Sequence, residues 1–363
     1  MKILIVGAGP IGSYTAQLLK KKDFEVKIIE EHSAIGRPVH CSGLVSKEVL
    51  SEIKVPLNNN FVANHINGAE FFFNGSNFKI ERQGVAILID REKFDRSLGE
   101  GLDVELDTKF MGIEKQGSGY LVETDKGELF ADIVIGADGA NSFVRKAVGF
   151  KENIEYLRGA QFRMKFENGV EGFVQVHLKH PFFAWVIPEN EEIARVGIIS
   201  RNPYQDLTDL IKEKSIKGEI LEKYAGIVPL GSCETQQGNI FLVGDAACQI
   251  KPMTHGGIYY GMRCAEILVD CICSNRPQDY EKTWKARFER EIDIGIKIKK
   301  LYERLSHDDA EKIFEILREN VDLIEEFGDF ENHSKIISLI IKNPRLQIIL
   351  GKVMINMFRA GHD

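Results

Sequence analysis

The glycine-rich motif near the start of the chain constrains its fold more than any other feature. Gly7-x-Gly9-x-x-Gly12 lies between an apolar run at residues 3–6 and a segment of helical character at residues 11–20. Glycines at this spacing permit a tight turn, let the backbone approach a pyrophosphate and allow the helix to pack closely on the strand. The segment therefore predicts a strand, turn and helix of the kind that binds a dinucleotide.

Glu30 strengthens this prediction. It ends the second predicted strand, at residues 24–30, where a carboxylate accepts hydrogen bonds from the ribose hydroxyls of adenosine. A negative charge at this point disfavours a ribose 2′-phosphate. We therefore expect a dinucleotide that lacks this phosphate, so that NADP is a poor candidate for this site.

Length and charge predict a soluble globular protein of more than one domain. The chain has 363 residues, of which 44% are hydrophobic and 28% are charged. A net charge of −7 argues against a nucleic-acid binder. The six cysteines form no C-x-x-C pair and no zinc-type spacing with histidine, so we expect reduced thiols, no metal and no disulfide framework. We also expect no signal peptide and no transmembrane helix, which together indicate the cytoplasm.

The pattern of helices and strands predicts domains that are interleaved along the chain. Short apolar runs at residues 133–135 and 240–243 have the character of buried parallel strands, whereas residues 158–200 read as antiparallel strands. Two Asn-Gly pairs, Asn67-Gly68 and Asn74-Gly75, predict hairpin turns. The predicted fold class is α/β, with a Rossmann-like domain, an inserted antiparallel substrate-binding sheet and a helical C-terminal region. The Rossmann-like domain is expected to contain residues 1–60, 83–152 and 226–276. The substrate-binding sheet is expected at residues 61–82 and 153–225, and the helical C-terminal region at residues 277–363.

Two later segments resemble fingerprints of the para-hydroxybenzoate hydroxylase-like flavoproteins. These are Gly-Ala-Asp-Gly at residues 136–139 and Gly-Asp-Ala-Ala at residues 244–247, each after a predicted buried strand. Arg91 matches an arginine that these proteins carry near their cofactor. The resemblance implies that the cofactor is FAD. The chemistry agrees, because Asp245 can accept a hydrogen bond from a ribityl hydroxyl, and glycines before a helix can present N–H groups to the flavin.

Within that superfamily the chain resembles the geranylgeranyl reductase family, which includes archaeal enzymes that saturate the isoprenoid chains of ether lipids. Three segments carry the resemblance: GRPVHCSG at residues 36–43, PFFAWVIP at residues 181–188 and the region of residues 244–258. The family usually has Tyr where Phe183 stands, Phe where Ile187 stands and Gly where Cys248 stands. The resemblance implies an enzyme that saturates isoprenoid C=C bonds by hydride transfer from reduced FAD, supplied with electrons by an external donor.

The resemblance also places candidate residues. Phe183 and Trp185 alternate on one face of a strand and are expected to line a tunnel for a hydrocarbon. Cys41 is expected beside the flavin ring, either as a proton donor or as a small residue that lets the backbone approach. These three residues are the catalytic candidates. The expected cofactor-binding residues are Gly7, Gly9, Ile11, Gly12, Glu30, Glu31, Arg37, Cys41, Ser42, Gly43, Arg91, Asp138, Gly244, Asp245, Gly256, Gly257 and Ile258.

Two other functions stay open. Because the same fold activates O₂ in aromatic hydroxylases and squalene epoxidases, an FAD-dependent monooxygenase is one alternative. The other is a membrane-associated flavoprotein that binds prenyl lipids without turnover. Arg345, Lys352 and Arg359 recur every seven residues beside a wide apolar arc near the end of the chain. A helix there would either lie on the anionic inner face of a membrane or dock on the protein through its apolar side.

Overall fold

The computed structural model describes residues 1–57, 60–166 and 172–332, together with residues 344, 347, 348 and 351. The chain divides into two units. The first unit contains residues 1–62, 89–157 and 227–290, and the second contains residues 63–88, 158–226 and 291–363. The division into three domains with the boundaries given above stays a prediction.

The predicted strands and helices occur in the predicted order, among further elements that the sequence analysis did not predict. The strands are β1 (Lys2–Val6), β2 (Glu25–Ile29), β3 (Leu44–Ser46), β4 (Val62–Phe73), β5 (Ser76–Ile89), β6 (Val104–Glu105), β7 (Phe110–Gln116), β8 (Gly119–Thr124), β9 (Gly127–Ala131), β10 (Ile133–Gly136), β11 (Glu152–Lys165), β12 (Val174–Lys179), β13 (Phe182–Pro188), β14 (Ile193–Ser200), β15 (Ile220–Cys233), β16 (Gln236–Gln237) and β17 (Ile240–Leu242). The helices are α1 (Pro10–Lys20), α2 (Lys47–Ser51), α3 (Arg91–Gly99), α4 (Phe143–Val148), α5 (Pro203–Glu213), α6 (Ile258–Cys273), α7 (Tyr280–Glu303), α8 (His307–Arg318) and α9 (Val321–Phe327).

A six-stranded sheet forms the centre of the first unit, with the strand order β16-β17-β10-β1-β2-β6. β1 pairs in parallel with β2 and with β10, and β10 pairs in parallel with β17. Short apolar strands such as Ile133–Gly136 are buried along their whole length, as expected for a sheet covered on both faces. Because neighbouring parallel strands end at the same edge, this sheet has one edge at which ligands bind in α/β folds.

The other large sheet has the order β15-β11-β14-β13-β12-β4-β5-β3. Within the second unit, β11, β14, β13 and β12 pair antiparallel, whereas β12 and β4 pair in parallel. One face of the antiparallel strands packs its buried apolar side chains, Val186 and Val196 among them, with Leu207 and Leu210 of α5. The predicted fold class, with a Rossmann-like sheet, a second sheet and helices towards the end of the chain, is confirmed.

One of the two predicted hairpins is wrong. Asn74 and Gly75 do form the turn between β4 and β5, and both have positive φ, at 47° and 85°. Asn67 and Gly68 instead lie inside β4. Gly68 has φ +151°, and a Cβ there would overlap the carbonyl oxygen of Ile80, so its glycine serves close backbone approach rather than a turn.

Within the described ranges, no helix is long and apolar enough to cross a membrane. The amphipathic helix predicted around Arg345, Lys352 and Arg359 falls outside the described residues.

Candidate functional site

The turn after β1 is shaped by close backbone approach. A Cβ added at Gly12 would overlap the carbonyl oxygen of Gly7, and one added at Gly7 would lie 2.5 Å from that of Ala137. Gly9 differs, because a Cβ there would meet nothing within 4 Å in the described part of the chain. The protein's own packing therefore requires Gly7 and Gly12, whereas Gly9 borders an open space at the start of α1.

The helices α1 and α6 both begin at a glycine. Gly9 and Gly257 are their N-cap residues, and among the described residues no side chain caps either helix. By contrast, the side chains of Asp90 and Ser142 accept hydrogen bonds from the first turns of α3 and α4. The first-turn N–H groups of α1 and α6 are thus suited to an anionic or electron-rich ligand.

Glu30 follows β2 and lies beside the glycine turn. Its Oε2 accepts a hydrogen bond from the N–H of Ala8 at 2.7 Å, and its Oε1 accepts one from the N–H of His32 at 3.0 Å. The same Oε1 lies 2.6 Å from Nδ1 of the His32 ring. These bonds fix the carboxylate just after β2, and its contact with a ribose stays a prediction. Glu31, its neighbour, is exposed.

Arg91, the first residue of α3, forms a bidentate ion pair with Asp95 one turn later. The Nε–Oδ1 and Nη2–Oδ2 distances are 3.1 and 2.9 Å, and the two side chains are only 14% and 5% exposed. The guanidinium also hydrogen-bonds to the thiol of Cys41. Burial acts to lower the pKa of Arg91, but Asp95 and Cys41 raise it above its ordinary value. Burial raises the pKa of Asp95, and Arg91 opposes that shift.

The segment around Cys41 turns back on itself. The Cys41 sulfur accepts a hydrogen bond from the N–H of Gly43 at 3.4 Å, and the Ser42 hydroxyl accepts one from Leu44 at 3.5 Å. Gly43 has φ +79°, and its carbonyl accepts the N–H of Ile89 at 2.9 Å. The hydrogen bond from Gly43 holds the Cys41 sulfur in place. The residue is half-buried, so part of its surface is accessible to solvent.

Arg37 lies in a different environment from Cys41. Its side chain is 67% exposed, and its Nε donates to Oε2 of Glu92 at 2.7 Å. The role of Arg37 in cofactor binding stays a prediction.

Two aspartates follow neighbouring strands of the parallel sheet. The Asp138 carboxylate, after β10, accepts hydrogen bonds from the Ser142 hydroxyl at 2.6 Å and the N–H of Val144 at 3.0 Å, so it holds the start of α4. Asp245 lies in a 3₁₀ turn after β17, and a Cβ at Gly257 would be 2.6 Å from its Oδ1. Burial raises the pKa of Asp245, and the charge of Arg91 acts in the opposite direction.

Glycines also bring α1 and α6 together. Added Cβ atoms at Gly244 and Gly261 would lie 3.0 and 2.8 Å from Ile11 of α1. Gly256, just before α6, faces the stem of Lys251, with Cε 3.0 Å from the position of an added Cβ. Ile258, the first residue of α6, is buried. The missing side chains of Gly244 and Gly261 thus leave room for the side chain of Ile11. None of the four predicted residues in this region carries a charge: Ile11, Gly244, Gly256 and Ile258.

Cys248 stands where the family usually has glycine, and its backbone explains why. Its φ of +55° lies in the left-handed region that favours glycine. Its thiol hydrogen-bonds to that of Cys233, a buried residue of the same unit. Sequence reasoning did not predict this pair, because 15 positions of chain separate the two cysteines without a recognisable motif.

Phe183 and Trp185 lie on β13 in the second unit, whereas Cys41 and the cofactor candidates belong to the first. Their ring centroids are 6.0 Å apart, and both side chains are half-buried. The indole N–H of Trp185 donates to Oε1 of Gln161 at 2.9 Å. Sequence reasoning assigned no role to Gln161 or to Asp95. Asp95 could have been found from its i,i+4 spacing to Arg91, but Gln161 had no such local signal.

The groups of the first unit fit FAD. The open space at Gly9 suits a pyrophosphate that approaches the backbone, and the Glu30 carboxylate suits the adenosine ribose. Asp245 and the glycine N-terminus of α6 offer an acceptor and N–H donors at the end of a neighbouring strand.

The chain is similar to known proteins over most of its length. Residues 5–55 match the model of NAD(P)-binding Rossmann-like domains. An uncharacterized protein of Methanocaldococcus jannaschii is 34% identical over 96% of both chains. A digeranylgeranylglycerophospholipid reductase of Methanothrix thermoacetophila is 30% identical, over 86% of this chain and 90% of that one. The solved structure of a geranylgeranyl bacteriochlorophyll reductase-like protein from Thermoplasma acidophilum is 26% identical, with a TM-score of 0.82 over 97% and 98% of the two chains.

The similarity to the Thermoplasma acidophilum structure covers 97% of the chain and therefore extends over both units. The chain belongs to the geranylgeranyl reductase family, and it is an FAD-dependent, reductase-like oxidoreductase.

Proposed function

We propose that this protein saturates C=C bonds in the isoprenoid chain of a geranylgeranyl-type lipid or its precursor. The observation that carries the proposal is the similarity to a digeranylgeranylglycerophospholipid reductase over 86% of the chain. The aromatic face at Phe183 and Trp185 supports it, because a hydrocarbon offers no polar atom and has to be held by shape. An external redox partner would supply the electrons.

Bound FAD in its reduced form supplies a hydride to one carbon of the double bond. The first-turn N–H groups of α1 would hold the pyrophosphate, Glu30 the adenosine ribose, and Asp245 a ribityl hydroxyl. The N-terminus of α6, at Gly256 and Gly257, would hold the pyrimidine edge of the flavin. We propose cofactor contacts also for Gly7, Gly9, Ile11, Gly12, Glu31, Arg37, Cys41, Ser42, Gly43, Arg91, Asp138, Gly244 and Ile258.

The second carbon of the bond needs a proton, and Cys41 is our proposed donor. Its thiol is half-buried and hydrogen-bonded to Arg91. A thiol that gives up its proton leaves a thiolate, and the Arg91 guanidinium would lie beside that negative charge. Asp95 holds Arg91 in that position through two hydrogen bonds. The hydride and the proton together add two hydrogens, and water returns the proton to the thiolate.

Cys41→Ser tests this role. We expect at least a tenfold slower single-turnover reoxidation of pre-reduced FAD by a prenyl substrate without oxygen, about 1.4 kcal/mol of transition-state stabilisation. FAD content should not change. Cys273→Ser, at an exposed cysteine, is the matched control. Equal rates in the wild type, Cys41→Ser and Cys41→Ala would leave Cys41 as a packing residue and make water the proton source.

Asp245→Ala tests the cofactor site. Loss of the carboxylate that we propose as the acceptor for a ribityl hydroxyl should weaken FAD binding by about 1–3 kcal/mol, measured by titrating the apoprotein with FAD. Asp245→Asn keeps an acceptor oxygen, so it should weaken binding less than Asp245→Ala does. An unchanged FAD affinity in Asp245→Ala would remove this residue from the cofactor site.

The proposed reaction is tested without the unknown electron donor. A geranylgeranyl compound added anaerobically to chemically reduced protein should restore the absorbance of oxidised FAD. If only O₂ restores it, and the prenyl compound accelerates that reaction, the monooxygenase alternative is favoured. If the prenyl compound binds and has no effect on either rate, the protein is a binding flavoprotein.

A further inference from the structure

The second unit contains a buried polar group that the proposed reaction does not use. Gln161 on β11 is only 5% exposed, and its Oε1 accepts the indole N–H of Trp185 at 2.9 Å. Its Nε2 is buried and has no hydrogen-bond partner within the described chain. Since buried amide donors are nearly always hydrogen-bonded, this nitrogen calls for an acceptor, either from a bound molecule or from an ordered water.

The orientation of the Gln161 amide follows from its partner. An indole N–H can only donate, so the atom that faces Trp185 has to be the oxygen, and the NH₂ group has to point elsewhere. Gln161 lies opposite Gly197 on β14, and Gly197 lies opposite Trp185 on β13. A Cβ at Gly197 would overlap the indole ring, so the indole lies across β14. This arrangement holds both NH₂ hydrogens away from Trp185.

Beyond Trp185, the row of the sheet that begins at Gln161 is apolar. The same row of the sheet continues from Trp185 to Val176 on β12 and Phe71 on β4. Phe183 lies two residues from Trp185 on the same face of β13, since successive strand residues point to opposite faces. The opposite face is the one that packs on α5. A molecule that lies along this row and reaches Gln161 would therefore be apolar over most of its length and would meet the amide with a single oxygen.

The nearest charged row favours a neutral oxygen. Arg163 lies opposite Arg195, and both pair with Glu189, at 2.8 and 3.3 Å. Arg163 also pairs with Glu222 at 3.3 Å. Burial acts to raise the pKa of Glu189, but the two arginines hold it below its ordinary value, which keeps the carboxylate ionised. The positive charges of this row are thus compensated, and a phosphate would gain little from them.

We infer that Gln161 is a specificity-determining residue, which donates a hydrogen bond from Nε2 to a neutral ether or hydroxyl oxygen of a prenyl ligand. The hydrocarbon part of that ligand lies along Phe183 and Trp185. The prenyl nature of the ligand rests on the proposed function, whereas the need for an oxygen acceptor rests on Gln161 alone.

Equilibrium binding of three probes to the FAD-loaded protein tests this inference. The probes are geranylgeraniol, its methyl ether and the matched hydrocarbon with a methyl group in place of CH₂OH. The wild type should bind both oxygenated probes about three- to tenfold more tightly than the hydrocarbon. Equal affinity for all three overturns the inference without any variant and leaves water as the partner of Nε2. A preference for the alcohol alone also overturns it, because Nε2 serves an ether equally well.

Gln161→Met then tests whether Gln161 causes the preference for the oxygenated probes. This variant should lose the preference for oxygen and keep its affinity for the hydrocarbon within about twofold, which a purely structural role would not produce. Gln175→Met is the matched control, since Gln175 on β12 lies opposite Val186 on the face that packs on α5. It should keep the wild-type preference. An equal loss of affinity for all three probes in Gln161→Met contradicts the inference.

The outcomes separate this inference from the proposed reaction. If the oxygen preference depends on Gln161 and no prenyl compound is reduced, the reaction is wrong and the inference holds. If prenyl compounds are reduced and Gln161→Met keeps the wild-type preference, the inference is wrong and the reaction holds.

Discussion

Gly9→Val is expected to weaken FAD binding at least about a hundredfold, or ~2.7 kcal/mol, without destabilising the protein. Gly9 has φ −65° and ψ −179°, an extended conformation that any residue can adopt. An added Cβ meets nothing within 4 Å among the residues that the structure describes. The valine side chain would therefore occupy the space at the start of α1 where we propose that the pyrophosphate lies.

Two measurements check this prediction, namely the FAD affinity of the apoprotein and its thermal unfolding. Gly12→Val is the contrasting variant, because a Cβ there overlaps the carbonyl oxygen of Gly7 and should lower the Tm as well as the FAD affinity. A Gly9→Val protein that binds FAD as tightly as the wild type would place the pyrophosphate elsewhere. A Gly9→Val protein with a strongly lowered Tm would show that Gly9 serves the fold.

Trp185→Ala is expected to lower the turnover of a prenyl substrate at least about tenfold and to leave the FAD content unchanged. The substitution removes the indole that lies across Gly197 and opens the aromatic face beside Phe183. Trp185 belongs to the second unit, whereas the FAD candidates belong to the first. Flavin absorbance and single-turnover rates measure the two effects separately.

Phe130→Ala is the control for Trp185→Ala, because Phe130 on β9 is an aromatic residue that is 43% exposed. It should keep wild-type turnover. Wild-type kinetics in Trp185→Ala would move the hydrocarbon site away from this face of β13.

The four central strands of the first sheet, β1, β2, β10 and β17, were predictable because each has a local signal, whereas the two-residue strands β6 and β16 were not predicted. Ile133–Gly136 and Ile240–Leu242 are short, apolar and followed by polar residues at the strand end, and the structure pairs them in parallel. The positions of Glu30 and Asp245 after β2 and β17 follow from the same local signals, whereas their contacts with a cofactor stay predictions. Parallel pairing then brings the ends of these strands to one edge.

The features that were missed depend on partners that are distant in sequence. Gln161 and Trp185 meet only because β14 lies between β11 and β13, and this strand order has no signature in the sequence. The prediction of a hairpin at Asn67-Gly68 was wrong because an Asn-Gly pair shows only a local preference for a turn. Gly68 is a glycine because the backbone of Ile80 on β5 approaches it closely. Local patterns therefore predicted the elements better than their contacts.

The mass of the product decides whether this protein is an isoprenoid reductase. Dithionite-reduced protein is incubated anaerobically with geranylgeraniol, and the lipid is extracted for mass spectrometry. We expect the mass of geranylgeraniol to rise in units of two hydrogens while FAD is reoxidised. An unchanged mass, or the gain of an oxygen atom once air is admitted, would contradict this function.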